Sequence, residues 1–367
     1  MRRLLLALAA AAVAATATSA PAAAHAQPAR RDVPGVTQGD FTTQNFRFES
    51  GEALPELRLH FRTLGTPRKD ARGVVRNAVL VLHGTGGSGA QFLSPAFTPL
   101  YAAGAPFDTS RFYVILPDDI GHGGSSKPSN GLHMKFPHYG YTDMVRAEHL
   151  LLTQGLGVNH LRVVMGTSMG CMHAWMWGEA YPDFMDGLVP LACAPTQIAG
   201  RNRMFRRLAM DAIERDPAWR NGEYTSPPVQ GLRGAIEMLW VMGTAPIQQH
   251  AQAATRDAAD SVITAYMDRQ LRTVDANDFL YQFDSSRDYD PSAKLEAITA
   301  PVLAINSADD EVNPPSLGIM ERLMPRVAHG KYILIPESDK TRGHGTHTAA
   351  AVWKAQLTEF LAALPRR

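Results

Sequence analysis

The sequence predicts an α/β fold: a mostly parallel sheet flanked by helices, with a helical cap inserted into it. Three observations carry that expectation. Short, wholly apolar runs recur along the chain, helical stripes lie between them, and one long central segment shows helical patterning alone. At 367 residues and 45% hydrophobic content, the chain has material for one large core or two modest domains.

The elements follow in order. Residues 1–26 carry Arg2 and Arg3, then an apolar run from Leu4 to Ala15, then Ala24-His25-Ala26 as a small-x-small cleavage signature. The apolar run stops at Thr16 and Thr18, short of the ~20 residues that span a bilayer. A cleaved export signal is therefore expected, with the mature chain starting near Gln27, periplasmic or secreted, and without stable membrane insertion. Two adjacent arginines do not by themselves choose between export routes. Gln27 to Thr42, polar and bearing Pro and Gly, is expected to be a loose arm. Phe46 and Phe48, then Leu57, Leu59 and Phe61, alternate with polar residues across Gly51 and predict an antiparallel pair with one buried face.

From there the runs are apolar throughout: AVLVL ending at Leu82, FYVIL ending at Leu116, LRVVM ending at Met165, then LVPLA from Leu188, PVLAI from Pro301 and YILI from Tyr332. Such runs suit strands covered on both faces. Met144, Ala147 and Leu151 mark a helix stripe, with Thr142 as N-cap and Gly155 at its end. Between Pro195 and Asp290 helical stretches are expected around Phe205 to Arg215, Gly231 to Val241 and Ala253 to Leu271, broken at Pro227-Pro228 and Pro246. The predicted division is a core of residues 27–194 and 291–367 with a cap of residues 195–290.

The formal net charge is +1 and the basic residues are scattered, so no nucleic-acid partner is implied. The knot of Arg201, Arg203, Arg206 and Arg207 is read as a solvated helix face. Cys171 and Cys193, the two cysteines, are read first as small buried thiols, although export would permit a disulfide.

Gly166-Thr167-Ser168-Met169-Gly170 carries the chemistry. A bare G-x-S-x-G arises by composition roughly once in six chains of this length, so context decides. LRVVM precedes it, and Cys171 to Tyr181 reads as a helix ended by Pro182. A serine on a strand-to-helix turn is lifted from the sheet, and the helix N-terminus favours a developing oxyanion. Serine needs a base, and the loop after YILI offers His344 between two glycines, preferred to His347. A metal site at His344 and His347 lacks a third ligand nearby, so no metal and no cofactor is expected. The loop after PVLAI supplies Asp309 and Asp310 as equal candidates to orient the imidazole. The oxyanion donors are expected at the backbone of Met169 and of Thr85, in the loop His83-Gly84-Thr85-Gly86-Gly87. That loop also spells G-x-G-x-x-G through Gly89, but Pro95 and Pro99 follow it, and no acidic residue ends a second strand where ribose binding needs one. His122, His149 and His173 are read as structural and Glu179 as a solvated helix residue.

With Ser168, an aspartate and His344 in this order, the chain resembles the homoserine O-acetyltransferase branch of the α/β-hydrolase superfamily, from about Gly84 to its end. The resemblance rests on Leu116-Pro117-Asp118-Asp119-Ile120-Gly121-His122-Gly123-Gly124-Ser125, on Thr142-Asp143-Met144-Val145-Arg146-Ala147-Glu148, on the elbow GTSMGCMHAWMW and on Asp216-Pro217-Ala218-Trp219 in the cap. It implies an α/β-hydrolase fold and a homodimer built through cap helices. It also implies that the acid is the aspartate four residues before a proline, here Asp310 before Pro314. Where the family has an arginine two residues before an Ala-Ile pair, Met210 precedes Ala212-Ile213, which puts homoserine recognition in question. The expectation is an exported serine hydrolase acting on small-molecule carboxylic esters, with acyl transfer to an alcohol or amine as the alternative. A binding protein on a dead scaffold is disfavoured by the complete triad.

Overall fold

The computed structural model describes residues 35–365. The expected export signal, residues 1–26, lies outside them. Eight strands form one sheet: β1 (Thr37–Arg47), β2 (Ala53–Leu64), β3 (Ala78–Leu82), β4 (Tyr113–Pro117), β5 (Val163–Thr167), β6 (Leu188–Leu191), β7 (Val302–Ser307) and β8 (Gly330–Ile335). Their order across the sheet is β1-β2-β4-β3-β5-β6-β7-β8. β1 and β2 are antiparallel, β2 meets β4 antiparallel, and the remaining neighbours are parallel.

Each wholly apolar run became a strand, and β3 to β7 are buried at every position because both faces of the sheet are covered there, whereas the edge strand β8 is only partly covered. One face packs Leu80, Ile115, Val164 and Leu188 against Trp175 and Trp177; the other packs Val79, Val163, Val189 and Leu303 against Trp353 and Leu357. The alternating pair also formed, with Phe46 opposite Leu54. Strand β1 begins at Thr37, so Thr37 to Thr42 are not a loose arm: their backbone pairs with Arg58 to Thr63, which removes the cost of unpaired amides whatever the side chains are.

The helices are α1 (Tyr141–Leu150), α2 (Met169–Ala180), α3 (Gly200–Glu214), α4 (Val229–Gly243), α5 (Pro246–Gln252), α6 (Arg256–Gln270), α7 (Ala276–Asp284), α8 (Ile319–Leu323) and α9 (Ala350–Ala363). Thr142 lies inside α1, and the N-cap is Gly140. The orphan N–H groups of Tyr141 and Thr142 go to the carboxylate of Asp288, each at 2.9 Å, so a long-range acid does the work expected of a local threonine. Pro246 opens α5 rather than ending a helix, since proline at the first helical position loses no hydrogen bond.

Helices α3 to α7 enclose a cluster of their own, with Phe205, Ile213, Leu232, Ile236, Phe279 and Phe283 buried. They are fastened to the sheet edge at several points. Gln282 donates to the carbonyl of Gly121 at 2.7 Å, Ser129 binds Asp278 through backbone and hydroxyl, and Asn202 donates to the carbonyl of Val312. The consecutive strands β3 and β4 lie side by side, and β5 returns on the other side of β3. The carboxyl ends of β3 and β5 therefore flank the point where strand order reverses, the place where open α/β sheets hold their ligands. The cap helices are tied to loops at that same edge.

Candidate active site

Strand β5 ends at Thr167, and the chain turns into α2 through Ser168 at φ 54°, ψ −109°. A positive φ is costly for serine and is tolerated where the surroundings over-determine it. Here they do. A Cβ on Gly166 would lie 1.9 Å from the Gly170 carbonyl oxygen, and one on Gly170 would lie 2.2 Å from that of Leu82. Glycine at both positions lets the strand, helix and neighbouring strand close on one another and raises the hydroxyl from the sheet.

The Ser168 Oγ lies 2.8 Å from Nε2 of His344, and Nδ1 of His344 lies 2.9 Å from Oδ2 of Asp310. In the tautomer this network requires, Oγ–H donates to Nε2 and Nδ1–H donates to the carboxylate. Asp310 is 1% exposed. Its Oδ1 accepts from the backbone N–H of Val312 and Asn313, and its Oδ2 also accepts from the Asn313 side chain. Burial by itself would raise its pKa, but the His344 imidazole and these donors outweigh it and hold the carboxyl below the usual range.

Asp309 does something else. It accepts the N–H of Gly343 at 2.8 Å and the hydroxyl of Ser307, so it anchors the loop that presents His344 and is not a solvated spare. His347 is half-buried with its ring against that of His344, and desolvation pushes its pKa down to about 3.

Met169 opens α2, so its N–H has no carbonyl one turn back, and that of Thr85 is likewise not taken by any hydrogen bond among the described residues. The Thr85 loop presses on Ser168: a Cβ on Gly84 would lie 3.3 Å from the Cβ of Ser168. The loop is held by the Gly170 N–H donating to the His83 carbonyl at 2.9 Å, and by His83 Nε2 accepting the N–H of Asp119 at 3.1 Å.

Behind this loop lies a group that the sequence reading did not find. Asp119, Glu148 and His173 are all buried, with potential ligand atoms within 4.8 Å of one another, a candidate metal-holding group. His173 Nδ1 is 3.0 Å from Glu148 Oε1, and Trp177 Nε1 donates to Glu148 Oε2 at 2.5 Å. Neither oxygen of Asp119 has a well-formed hydrogen bond. Burial, with the Glu148 charge nearby, pushes Asp119 up to about 8, and burial pushes Glu148 up to about 7. The spacing did carry a signal: Glu148 stands four residues after Met144 and three before Leu151, on the buried stripe of α1.

His122 is buried with Nδ1 donating to the Ile120 carbonyl, and His149 stacks on Tyr181. Glu179 is not solvated: it is half-buried, and burial raises it to about 7. Cys171 and Cys193 are disulfide-bonded, not free thiols. Residue separation along the chain could not show this, because their approach depends on how α2 packs beside β6. Arg206, assigned to a solvated face, is 3% exposed. It follows the spacing of Met210 and Ile213 on the inner side of α3, which the charge of the knot concealed.

A hydroxyl, an imidazole and a carboxylate hydrogen-bonded in line, beside two backbone N–H groups, are the parts of a serine acyl-transfer enzyme. Comparison with known proteins agrees. The family pattern of the alpha/beta hydrolase fold matches residues 77–337. A probable acyltransferase of Methanothermobacter thermautotrophicus is 31% identical over 289 residues, covering 78% of this chain and 87% of its own. A homoserine O-acetyltransferase of Haloarcula marismortui is 30% identical over 298 residues, covering 69% and 71%. The crystal structure of an acetylester hydrolase from Corynebacterium glutamicum shares the fold, with a TM-score of 0.79 at 21% identity over 89% of this chain and 96% of that one. The chain belongs to the α/β-hydrolase family, in its homoserine O-acetyltransferase-like branch. It is an enzyme of the serine hydrolase and acyltransferase kind, acting on small molecules.

Proposed function

We propose that this enzyme is an exported ester hydrolase working through an acyl-enzyme on Ser168. The observation that carries the reading is the unbroken line from the Ser168 hydroxyl through His344 to Asp310. His344 Nε2 takes the Oγ proton as Oγ attacks the ester carbonyl, and the Nδ1–H bond to Asp310 stabilises the imidazolium that results. The tetrahedral oxyanion is received by the N–H groups of Met169 and Thr85, each contributing ~3 kcal/mol of transition-state stabilisation. The imidazolium then protonates the leaving alcohol. In the second half, His344 deprotonates water, which attacks the acyl carbon, and Ser168 leaves with its proton restored.

Water is favoured as the acceptor by Met210, a buried apolar residue at the position where the resemblance to the homoserine O-acetyltransferases implies an arginine. Export is supported by Arg2-Arg3, the apolar run after them and Ala24-His25-Ala26. The paired Cys171 and Cys193 also suit an oxidising compartment, in which acetyl-CoA is not the expected donor. Purified enzyme incubated in parallel with 4-nitrophenyl esters and with acetyl-CoA plus homoserine tests the reading. Ester hydrolysis with fluorophosphonate labelling of Ser168 is expected. Acetyl-homoserine formation outrunning hydrolysis would overturn it in favour of acyl transfer.

A further inference from the structure

Arg206 is a buried cation without an anion. Its Nε donates to Oδ1 of Asn202 at 2.9 Å, and the guanidinium carbon lies 5.4 Å from the Phe283 ring centroid and 5.7 Å from that of Phe205. Its Nη1 has no hydrogen-bond partner, and no carboxylate among the described residues forms an ion pair with it. Leaving a guanidinium unpaired away from water is costly, and the aromatic faces compensate only in part.

Two further polar atoms near it are in the same condition. The Tyr141 hydroxyl and the Thr85 Oγ1 are buried without a well-formed partner. The three side chains are neighbours: Tyr141 interacts with both the Arg206 guanidinium and the Thr85 hydroxyl. Thr85 sits in the loop that presses on Ser168, next to Gly84. On the other side, Asn202, which holds Arg206, donates to the carbonyl of Val312, two residues past Asp310. Arg206 therefore hangs from a cap helix tied to the acid loop, and Tyr141 links it to the oxyanion loop. Donors left over at both ends point to one acceptor-rich guest between them.

We propose that Arg206, Tyr141 and Thr85 form an anion subsite, and that the substrate is an ester bearing a carboxylate a few bonds from the scissile carbonyl. The inference rests on the ester-hydrolase reading and narrows its substrate class. The planar guanidinium presents two N–H groups to a carboxylate, with the phenol and the threonine hydroxyl as further donors. The carboxylate takes no part in bond making. It holds the ester against Ser168, so its contribution falls mainly on KM.

The test compares kcat/KM for the 4-nitrophenyl half-esters of succinate, glutarate and adipate with that for their methyl-capped counterparts. A second arm compares the acetyl ester of 3-hydroxypropanoate with that of its amide, which shows whether the acyl or the alcohol half carries the charge. In at least one arm wild-type enzyme is expected to prefer the charged ester. Arg206→Gln should lower that preference roughly 10- to 100-fold, mostly through KM, and Arg206→Lys should restore part of it. Wild type that handles neutral esters as well as charged ones in both arms overturns the proposal, even if Arg206→Gln does not fold, and leaves the hydrolase reading standing. An unchanged preference in folded Arg206→Gln overturns it equally. If instead no ester is hydrolysed and Ser168 is not labelled, the hydrolase reading fails, and titration of the Ser168→Ala protein with glutarate decides the subsite. Binding that disappears in Ser168→Ala/Arg206→Gln supports it, and no binding overturns it.

Discussion

Two clusters of histidine and carboxylate lie within the same part of this molecule, and they behave in opposite ways. At the triad, Asp310 receives four donors and keeps its charge below the usual carboxylate range despite burial. Beside α1 and α2, Asp119 and Glu148 are as deeply buried, but Glu148 has two donors and the side chain of Asp119 has no well-formed one, so both hold protons toward neutral pH. The residue types are the same. What differs is the supply of N–H groups: loop backbone turns toward Asp310, whereas Asp119 and Glu148 mainly face each other and the rings of His83 and His173. A carboxylate becomes an orienting acid where donors outweigh desolvation, and a proton store where they do not.

The contrast can be broken experimentally. The largest effect is expected from Ser168→Ala and His344→Ala, each reducing kcat by roughly 10⁴- to 10⁶-fold with unchanged circular dichroism, because the members act as a unit. Asp310→Asn should follow at about 10⁴-fold, since an amide cannot hold the required tautomer. Asp309→Ala, which frees the Gly343 N–H, should cost roughly 10-fold in kcat/KM by loosening the His344 loop. Near-normal turnover in Asp310→Asn would transfer the acid role to Asp309.

Stability reads the second cluster. Acids with raised folded pKa values bind more protons folded than unfolded between the unfolded value near 4 and the folded values of about 7 and about 8. Stability from this source is therefore present at acid pH and declines as pH rises through that window. Glu148→Gln keeps the acceptor for Trp177 and removes one charge. It is expected to raise stability at pH 8.5 by roughly 1–3 kcal/mol and to flatten the decline, as measured by urea denaturation at pH 5.5, 7 and 8.5. A steeper decline in the variant would mean that the pair is held ionised, as by a bound cation. Reduction of the Cys171–Cys193 bond, which spans 22 residues, should cost about 3 kcal/mol or less, read as a fall in Tm under reductant.

Legibility followed the range of the interaction. Strands β3 to β7 could be found because a segment covered on both faces must be apolar at nearly every position, and that constraint is local; β8, at the sheet edge, is only partly covered. The Ser168 turn could be found because strand, glycines and helix are contiguous. Arg206 and Glu148 were hidden because a charged residue on a buried stripe looks, in one dimension, like a charged residue on a surface. The Thr142 cap failed for a related reason: Asp288, almost 150 residues away, supplies the acceptor.

By itself the sequence determined the apolar strands, the helical stretches between β6 and β7, the serine on its strand-to-helix turn and the loop that carries His344, since each is announced by neighbours within a dozen positions. Only the tertiary structure decided that Asp309 holds a loop while Asp310 meets the imidazole, that Cys171 joins Cys193, and that one arginine of a basic knot turns inward. Those outcomes depend on which backbone donors, sulfurs and ring faces converge from distant parts of the chain, and convergence is a property of packing, not of spacing.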